Sequence, residues 1–138
     1  MPITVFTPRT KKLDLYSDLR KDLAISPLSS DLTVLKNDDA VKDALKNLLL
    51  TDRGERLMQP NLGGNIRALL FENLTPAVLQ MIKTQIEETV KLYEPRAELI
   101  DVTVAADMDS SNVSAKITFY VRNQEQPITL DVILERTR

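Results

Sequence analysis

Tyr93-Glu94-Pro95-Arg96 divides the chain into a half with helical periodicity and a half with strand periodicity. Upstream, apolar residues recur every three or four positions, as on one face of a helix. They are Leu79, Ile82, Ile86, Val90 and Tyr93. Pro95 ends this helix, because the residue before a proline is pushed out of the helical region. Downstream, apolar and polar residues alternate, which predicts strands.

Three alternating runs follow this stretch, at residues 100–104, 113–121 and 128–134. Turn-forming residues at 109–112 and 123–127 separate them. Short connections join antiparallel strands, so the sequence predicts a three-stranded meander with one apolar face, which helices must cover. The predicted fold class is α+β: two main helices and a short one packed on a C-terminal antiparallel meander, with an extended N-terminal arm.

The helices have recognisable ends. The first is predicted to begin after Asn37-Asp38-Asp39, where an amide and two acids suit the cap and first turn, and to end at Arg53-Gly54. The second long helix opens at Thr75-Pro76, a hydroxyl cap followed by a proline at the first helical position. Asn65 is the expected cap of a short helix between them, over residues 66–70.

Residues 1–36 are the least regular part of the chain. Prolines interrupt every short apolar group, which predicts an extended arm with about one turn of helix around Ser17–Leu23. The basic residues Arg9, Lys11 and Lys12 are interpreted as a solvated part of this arm. The predicted organisation is therefore an N-terminal arm over 1–36 and a single α+β domain over 37–138.

Composition excludes several classes of function. A formal charge of -2 and a pI near 5.2 argue against a nucleic-acid surface. The chain has neither cysteine nor histidine, which removes disulfides, thiolate chemistry and the commonest metal ligand. We expect no metal site and no cofactor. No apolar run approaches the roughly 20 residues that cross a bilayer, and no signal peptide is evident, so no membrane partner is expected.

The segment from Thr51 to Gly64 contains all three glycines of the chain. One interpretation is a simple connector between two helices. The other is a loop with a defined shape that packs against a partner, and an irregular connection of this length favours a functional role. The candidate partner-binding residues in this loop are Arg53, Gly54, Glu55, Arg56, Pro60 and Gly63.

Glu94, Pro95 and Arg96 form a second candidate partner-binding group. Proline stiffens the junction, and in an extended segment residues two apart point the same way. Glu94 and Arg96 therefore project together. They form either an internal salt bridge that closes the junction or a charged fork that engages a partner.

The last predicted strand is an edge of the meander, so it presents unpaired N–H and C=O groups. Either a lid such as the N-terminal arm covers this edge, or it accepts a strand from another chain. The residues alone leave both open. The candidate partner-binding residues of this strand are Ile128, Leu130, Val132 and Leu134.

A glycosidase site is the enzymatic alternative, because two carboxylates suffice for sugar hydrolysis. The candidate acids are Glu55, Glu72 and Glu94. The chain has no tryptophan and only 4% aromatic residues, which leaves little to build a sugar-stacking cleft. Solvated or ion-paired acids are the preferred interpretation.

Four motifs in this order resemble one family. They are Thr51-Asp52-Arg53-Gly54-Glu55-Arg56, Pro60-Asn61-Leu62-Gly63, Leu70-Phe71-Glu72-Asn73-Leu74-Thr75-Pro76 and Tyr93-Glu94-Pro95-Arg96. The sequence resembles the baseplate wedge and sheath-initiator proteins of contractile phage tails, also known as the lysozyme-like baseplate family, and in particular its T4-like myophage branch. The resemblance runs from about Asp39 to the strand after Arg96, and more loosely to the end.

The resemblance implies a non-enzymatic protein of the virion tail baseplate, assembled in the host cytoplasm and monomeric when alone. Family members surround the tail tube in a sixfold arrangement, and their Glu-Pro-Arg segment contacts the helical core of the wedge. Their sheet resembles the part of the tail sheath protein that exchanges strands with its neighbours. The resemblance therefore implies wedge core proteins and the sheath protein as partners, and favours an edge that accepts strands. The family's lysozyme label keeps a murein glycoside hydrolase as the alternative.

Overall fold

The computed structural model describes residues 14–107 and 112–135. Two short strands, β1 (Ser17–Leu19) and β2 (Val34–Lys36), precede three helices, α1 (Asp38–Leu50), α2 (Ile66–Leu70) and α3 (Pro76–Tyr93). Strands β3 (Ala97–Asp107), β4 (Asn112–Val121) and β5 (Pro127–Leu134) follow. The predicted α+β class is confirmed. The basic residues at 9–12 and the turn residues 109–111 lie outside the described residues.

The C-terminal strands form an antiparallel sheet of order β3-β4-β5, as the alternation predicts. Helix α3 packs along β3, and α1 packs against β5. Ile117 and Phe119 of β4 and Ile82 and Ile86 of α3 belong to one core cluster, and all four side chains are fully buried. Burial of one such side chain stabilises the fold by about 1.5–3 kcal/mol.

The ends of α3 are confirmed, and Asn37 and Asn65 stand at the N-cap positions of α1 and α2 as predicted, but neither residue caps its helix through its side chain. The Thr75 side chain accepts a hydrogen bond from the backbone of Val78, and α3 ends before Pro95. Asn37 has a positive φ of 47° and makes no side-chain cap, because its amide oxygen accepts from the backbones of Leu15 and Tyr16 instead. Asn65 precedes α2 in the left-handed region, also without a side-chain cap.

Helix α1 ends at Leu50, three residues before the predicted stop at Arg53-Gly54. Thr51 adopts an extended conformation, and its hydroxyl donates to the Asn47 carbonyl at 2.7 Å. Thr51 therefore caps the C-terminal end of α1, and the glycines lie in the loop that follows instead of ending the helix.

A β-bulge corrects the predicted face of β3. Leu99 pairs with Phe119, but Asp101 pairs with Thr118, so Ile100 is an extra residue without a partner on β4. The bulge reverses the alternation, which turns Ile100 outward, where it is 48% exposed, and buries Val102 completely. The sequence pattern predicts both residues on the same inner face, and for Ile100 this is wrong.

Residues 17–36 form a hairpin, and the predicted turn of helix around Ser17–Leu23 is wrong. β1 pairs antiparallel with β2, and a bridge between Ile25 and Leu32 continues the pairing toward the tip. This cross-strand pairing takes the backbone groups that a helix would need. The hairpin carries exposed aliphatic side chains, among them Leu19 and Val34, which pair across β1 and β2, and Ile25 and Leu32, which pair at the bridge.

The bulge generates a matched pair of substitutions. Val102→Asp places a charge in the core and is expected to lower the free energy of unfolding by about 4 kcal/mol or more. Ile100→Asp changes an exposed side chain and is expected to cost within about 1 kcal/mol. Urea unfolding of both variants checks this. Similar losses would show that Ile100 and Val102 share a face and that the bulge is wrong.

Candidate partner-docking site

The loop over residues 51–64, hereafter the docking loop, is closed by its own backbone hydrogen bonds. Gly54 N donates to Pro60 O at 2.8 Å, and Gly64 N donates to Thr51 O at 3.2 Å. The carboxylate of Glu55 accepts from Asp52 N at 3.0 Å. These bonds bring both ends of the loop together, so the loop has the defined shape that the sequence suggests.

Two glycines allow this shape for different reasons. Gly54 has a φ of +87°, with open space where a Cβ would stand. Gly63 has a φ of +118°, and a Cβ there would collide with the backbone carbonyl oxygen of Thr51. Gly63 is therefore required both by its conformation and by the close approach of the two ends of the loop.

Side chains also tie the docking loop to the helices. The Tyr93 hydroxyl donates to Asn61 O at 2.5 Å, which links the loop to the last turn of α3. Arg53 Nε donates to Gly63 O at 3.4 Å, and Arg67 lies 3.3 Å from the Asp52 carboxylate. Tyr93 precedes Glu94 directly, so the end of α3 connects the two sequence motifs.

The exposed tip of the docking loop adds residues that sequence reasoning missed. Leu57 and Met58 are 97% and 96% exposed. The predicted residues Arg53, Glu55 and Arg56 are also exposed. The sequence does contain a signal for this tip, namely two adjacent large apolar residues between Arg56 and Pro60. Adjacent apolar side chains that stay exposed in a loop are typical of a protein contact.

Glu94 and Arg96 face each other in a bidentate ion pair. Arg96 Nε lies 2.6 Å from Glu94 Oε1, and Arg96 Nη2 lies 2.7 Å from Oε2. The Glu94 side chain is 8% exposed and that of Arg96 is 34% exposed. The hydrogen bond that Arg96 donates to Glu94 is the main cause that raises the pKa of Arg96 above its usual value. The internal salt bridge, one of the two interpretations, is therefore present.

The Tyr16 ring stacks on the face of the Arg96 guanidinium. Its ring centroid lies 5.6 Å from Arg96 Cζ, a cation–π distance. The Tyr16 hydroxyl donates to Arg122 O at 3.5 Å, and Arg122 N donates to Arg96 O at 2.8 Å. Asn37 fixes Tyr16 in turn, since Asn37 N donates to Tyr16 O at 2.8 Å. Glu94 and Tyr16 thus orient Arg96, whose remaining N–H groups, Nη1 among them, are not engaged by Glu94.

One hydrogen bond shows which backbone groups of β4 point to β3 and which point to β5. Arg122 N, just beyond β4, donates toward β3 at Arg96 O. In an antiparallel strand this direction alternates from residue to residue. The even-numbered residues of β4 therefore direct their N–H and C=O groups to β3. The odd-numbered residues, from 113 to 121, direct theirs to β5.

The exposed edge of β5 then consists of alternate residues. Val113, Ala115, Ile117 and Phe119 pair with Leu134, Val132, Leu130 and Ile128. These four residues of β5 bond to β4, and their side chains are buried or packed against the core. The outward N–H and C=O groups belong to Thr129, Asp131 and Ile133. The backbone groups that face away from β4 are therefore those of the intervening residues, whereas the four candidates from the sequence direct their backbone to β4 and their side chains to the core.

The three candidate glutamates lie in different environments. Glu94 is buried in its ion pair, Glu55 accepts a bond within the docking loop, and Glu72 is exposed after α2. Among residues 14–107 and 112–135, no group of three or more acidic side chains is placed to hold a metal ion. None of the described helices is long and apolar enough to span a bilayer.

Comparison with known proteins identifies sequence relatives. A family model described as baseplate wedge protein gp25 matches residues 36–126, more than half of the chain. Baseplate wedge protein gp25 of Enterobacteria phage T4 is 29% identical over 107 residues, which cover 78% of this chain and 80% of that protein.

Solved structures share the fold. A crystal structure from Geobacter sulfurreducens, described as a tail lysozyme, matches with a TM-score of 0.70 and 26% identity, over 77% of this chain and 97% of its own. A chain of the anti-feeding prophage baseplate has a TM-score of 0.61, 24% identity and coverage of 89% and 87%. A chain of the type VI secretion system baseplate complex has a TM-score of 0.54, 17% identity and coverage of 69% and 91%. The last two show likeness of fold alone.

The two glycines of the docking loop should differ in their tolerance of a methyl group. Gly54→Ala is expected to cost about 1–2 kcal/mol, the cost of a left-handed conformation for an L-residue. Gly63→Ala adds a collision with the Thr51 carbonyl and is expected to cost at least about 2 kcal/mol more. Urea unfolding midpoints test this difference. An equal loss in both variants would contradict the close approach at Gly63.

Removal of either partner of the Glu94–Arg96 pair should give unequal losses. Arg96→Ala leaves a buried carboxylate unpaired and is expected to cost about 3 kcal/mol. Glu94→Ala leaves a guanidinium that can turn toward water, so about 1–2 kcal/mol is expected. Arg122→Ala, an exposed arginine at the same junction, is the control, with a change within about 0.5 kcal/mol. Chemical denaturation measures all three, and a larger loss for Glu94→Ala would contradict the observed burial.

Proposed function

The chain belongs to the family of baseplate wedge protein gp25, and we propose that it is a structural, non-enzymatic component of a contractile phage tail baseplate. In this role it joins the wedge to the tail sheath and templates the first ring of the sheath. Its partners are other baseplate proteins, namely the wedge core, and the sheath protein, in a sixfold arrangement around the tail tube. Its place is the virion, after assembly in the host cytoplasm.

The open edge of β5 is the observation that carries the templating role. β5 is eight residues long, and within the described residues the sheet ends there. Thr129, Asp131 and Ile133 direct their N–H and C=O groups away from β4. An extended segment of another chain can pair with such an edge, which gives main-chain affinity without a deep pocket.

The free edge of β5 has a fixed register, because the residues that alternate with the outward ones are held in the core. Ile128, Val132 and Leu134 are buried, so the strand cannot slide without exposing them. An incoming strand therefore meets a fixed register. Asp131 stands opposite Lys116 of β4 and places a charge in the middle of the edge. A charge at this position discourages indiscriminate edge-to-edge pairing.

Docking to the wedge is assigned to Arg96 and the docking loop. Arg96 is the partner-facing member of its pair, since Glu94 is buried and serves to orient it. The free N–H groups of the guanidinium suit a carboxylate or the carbonyl end of a helix. Leu57 and Met58 add an apolar contact at the loop tip, and Gly63 maintains the shape that presents them.

The hydrolase alternative has no comparable support in the geometry. A general acid must present a carboxyl group to its substrate. The Glu94 carboxylate lies against Arg96, and the Glu55 carboxylate accepts a bond from the Asp52 backbone. The family relation to a baseplate wedge protein and the open strand edge favour the structural role.

A proline on the open edge separates edge pairing from folding. Asp131→Pro removes an outward N–H that β4 does not use, and prolines are tolerated on edge strands. Asp131→Ala removes the same side chain, opposite Lys116, but keeps the N–H. Tails assembled with each variant are examined by electron microscopy. We expect sheathed tails with Asp131→Ala and naked tubes on complete baseplates with Asp131→Pro.

Normal sheaths with a folded Asp131→Pro protein would contradict the templating role. Circular dichroism and thermal unfolding verify the fold of both variants. Deletion of β5 is unsuitable for this purpose, because it would also remove Val132 and Leu134 from the core.

A further inference from the structure

A cavity of about 250 Å³ lies at the C-terminal end of β5. Its walls come from the end of α1, from α2 and from β5, and they are polar and apolar in similar measure. The residues that line it include Leu49, Leu50, Ile66, Leu70, Ile133 and Leu134. Neither the docking loop tip nor the Glu94–Arg96 pair belongs to it, so this cavity is a separate feature of the surface.

The cavity borders the open edge of the sheet. Ile133, Leu134 and Glu135 are consecutive residues, and all three line it. Successive side chains along a strand point to opposite faces, so a space bounded by three in a row lies along the edge of the strand or around its end, and Glu135 places it at the C-terminal end of β5. A strand added to β5 would therefore pass directly over the opening.

The buried residues of the cavity lining are apolar, whereas its charged residues are more exposed, so an apolar side chain suits its inner part. Leu49, Ile66, Leu70 and Leu134 are buried and form its inner surface. The charged residues that line the cavity are Asp52, Arg67 and Glu135, and Arg67 lies 3.3 Å from the Asp52 carboxylate. An engineered cavity of about 150 Å³ is large enough to bind benzene, so a space of this size can hold one aliphatic or aromatic side chain.

We propose that this cavity is the specificity pocket for the strand that adds to β5. It receives one large aliphatic or aromatic side chain of that strand, from the position that comes to lie beside Leu134 on the helical side of the sheet. Main-chain pairing along Thr129–Ile133 supplies affinity, and the pocket fixes which residue of the incoming strand stands at the end of β5. The inference rests on the proposed templating role and specifies the chemistry of its ligand.

A pocket-filling substitution tests this proposal. Leu50 is partly buried and lines the cavity, so Leu50→Phe is expected to occupy it without loss of fold. Leu69→Phe is the matched control, because Leu69 of α2 is also partly buried but does not line this cavity. The probe is the purified sheath protein of the same tail, added to assembled baseplates, and light scattering reports the rate of sheath nucleation.

Leu50→Phe should slow nucleation about tenfold to a hundredfold, the range set by burial of one large apolar side chain, and Leu69→Phe should match the native protein. A sheath variant with alanine at the inserted position should restore nucleation on Leu50→Phe baseplates. Native rates with Leu50→Phe, or equal losses in both variants, would overturn the pocket. If Asp131→Pro blocks nucleation and Leu50→Phe does not, the pocket fails and templating stands; if neither blocks it, templating itself fails.

Discussion

The alternation of residues along β5 determines what this domain can offer to another chain. Every second residue points its side chain into the core and its backbone to β4, and the residues between them point their backbone groups away from the sheet. A slip by one residue would expose Val132 and Leu134, so the core fixes the register of the free edge. Stability and the proposed templating role therefore depend on the same eight residues, through opposite sides of the strand.

The junction at Pro95 fixes the position of the other candidate contact, Arg96. Proline ends α3, and the sheet begins two residues later at Ala97. Glu94 is buried at this corner and binds Arg96, and the N-terminal arm adds the Tyr16 ring. The arm, the last turn of α3 and the start of β3 meet at one guanidinium. A partner that binds Arg96 would meet a group already held in place, which reduces the entropy lost on binding.

The sequence predicts the elements that depend on local periodicity, and misses what depends on tertiary contacts. The spacing of Ile82 and Ile86, and the alternation through Phe119, are sufficient for α3 and the meander. The bulge at Ile100 has no such signal, because an extra residue leaves local hydrophobicity unchanged. Asn37 resembles a helix cap, yet contacts with residues 15 and 16 redirect its side chain. The candidate motifs are located by sequence, but the burial of Glu94 and the cavity beside Ile133 depend on how distant segments pack.

An electron cryo-microscopy map of the intact particle tests the central claim most directly. The expected result places this chain at the junction of the baseplate and the first sheath ring, with a strand of the sheath protein paired to the edge formed by Thr129, Asp131 and Ile133. A map in which that edge faces solvent while the first sheath ring is complete would contradict the account. Density for this chain at the distal spike of the tail would contradict it equally.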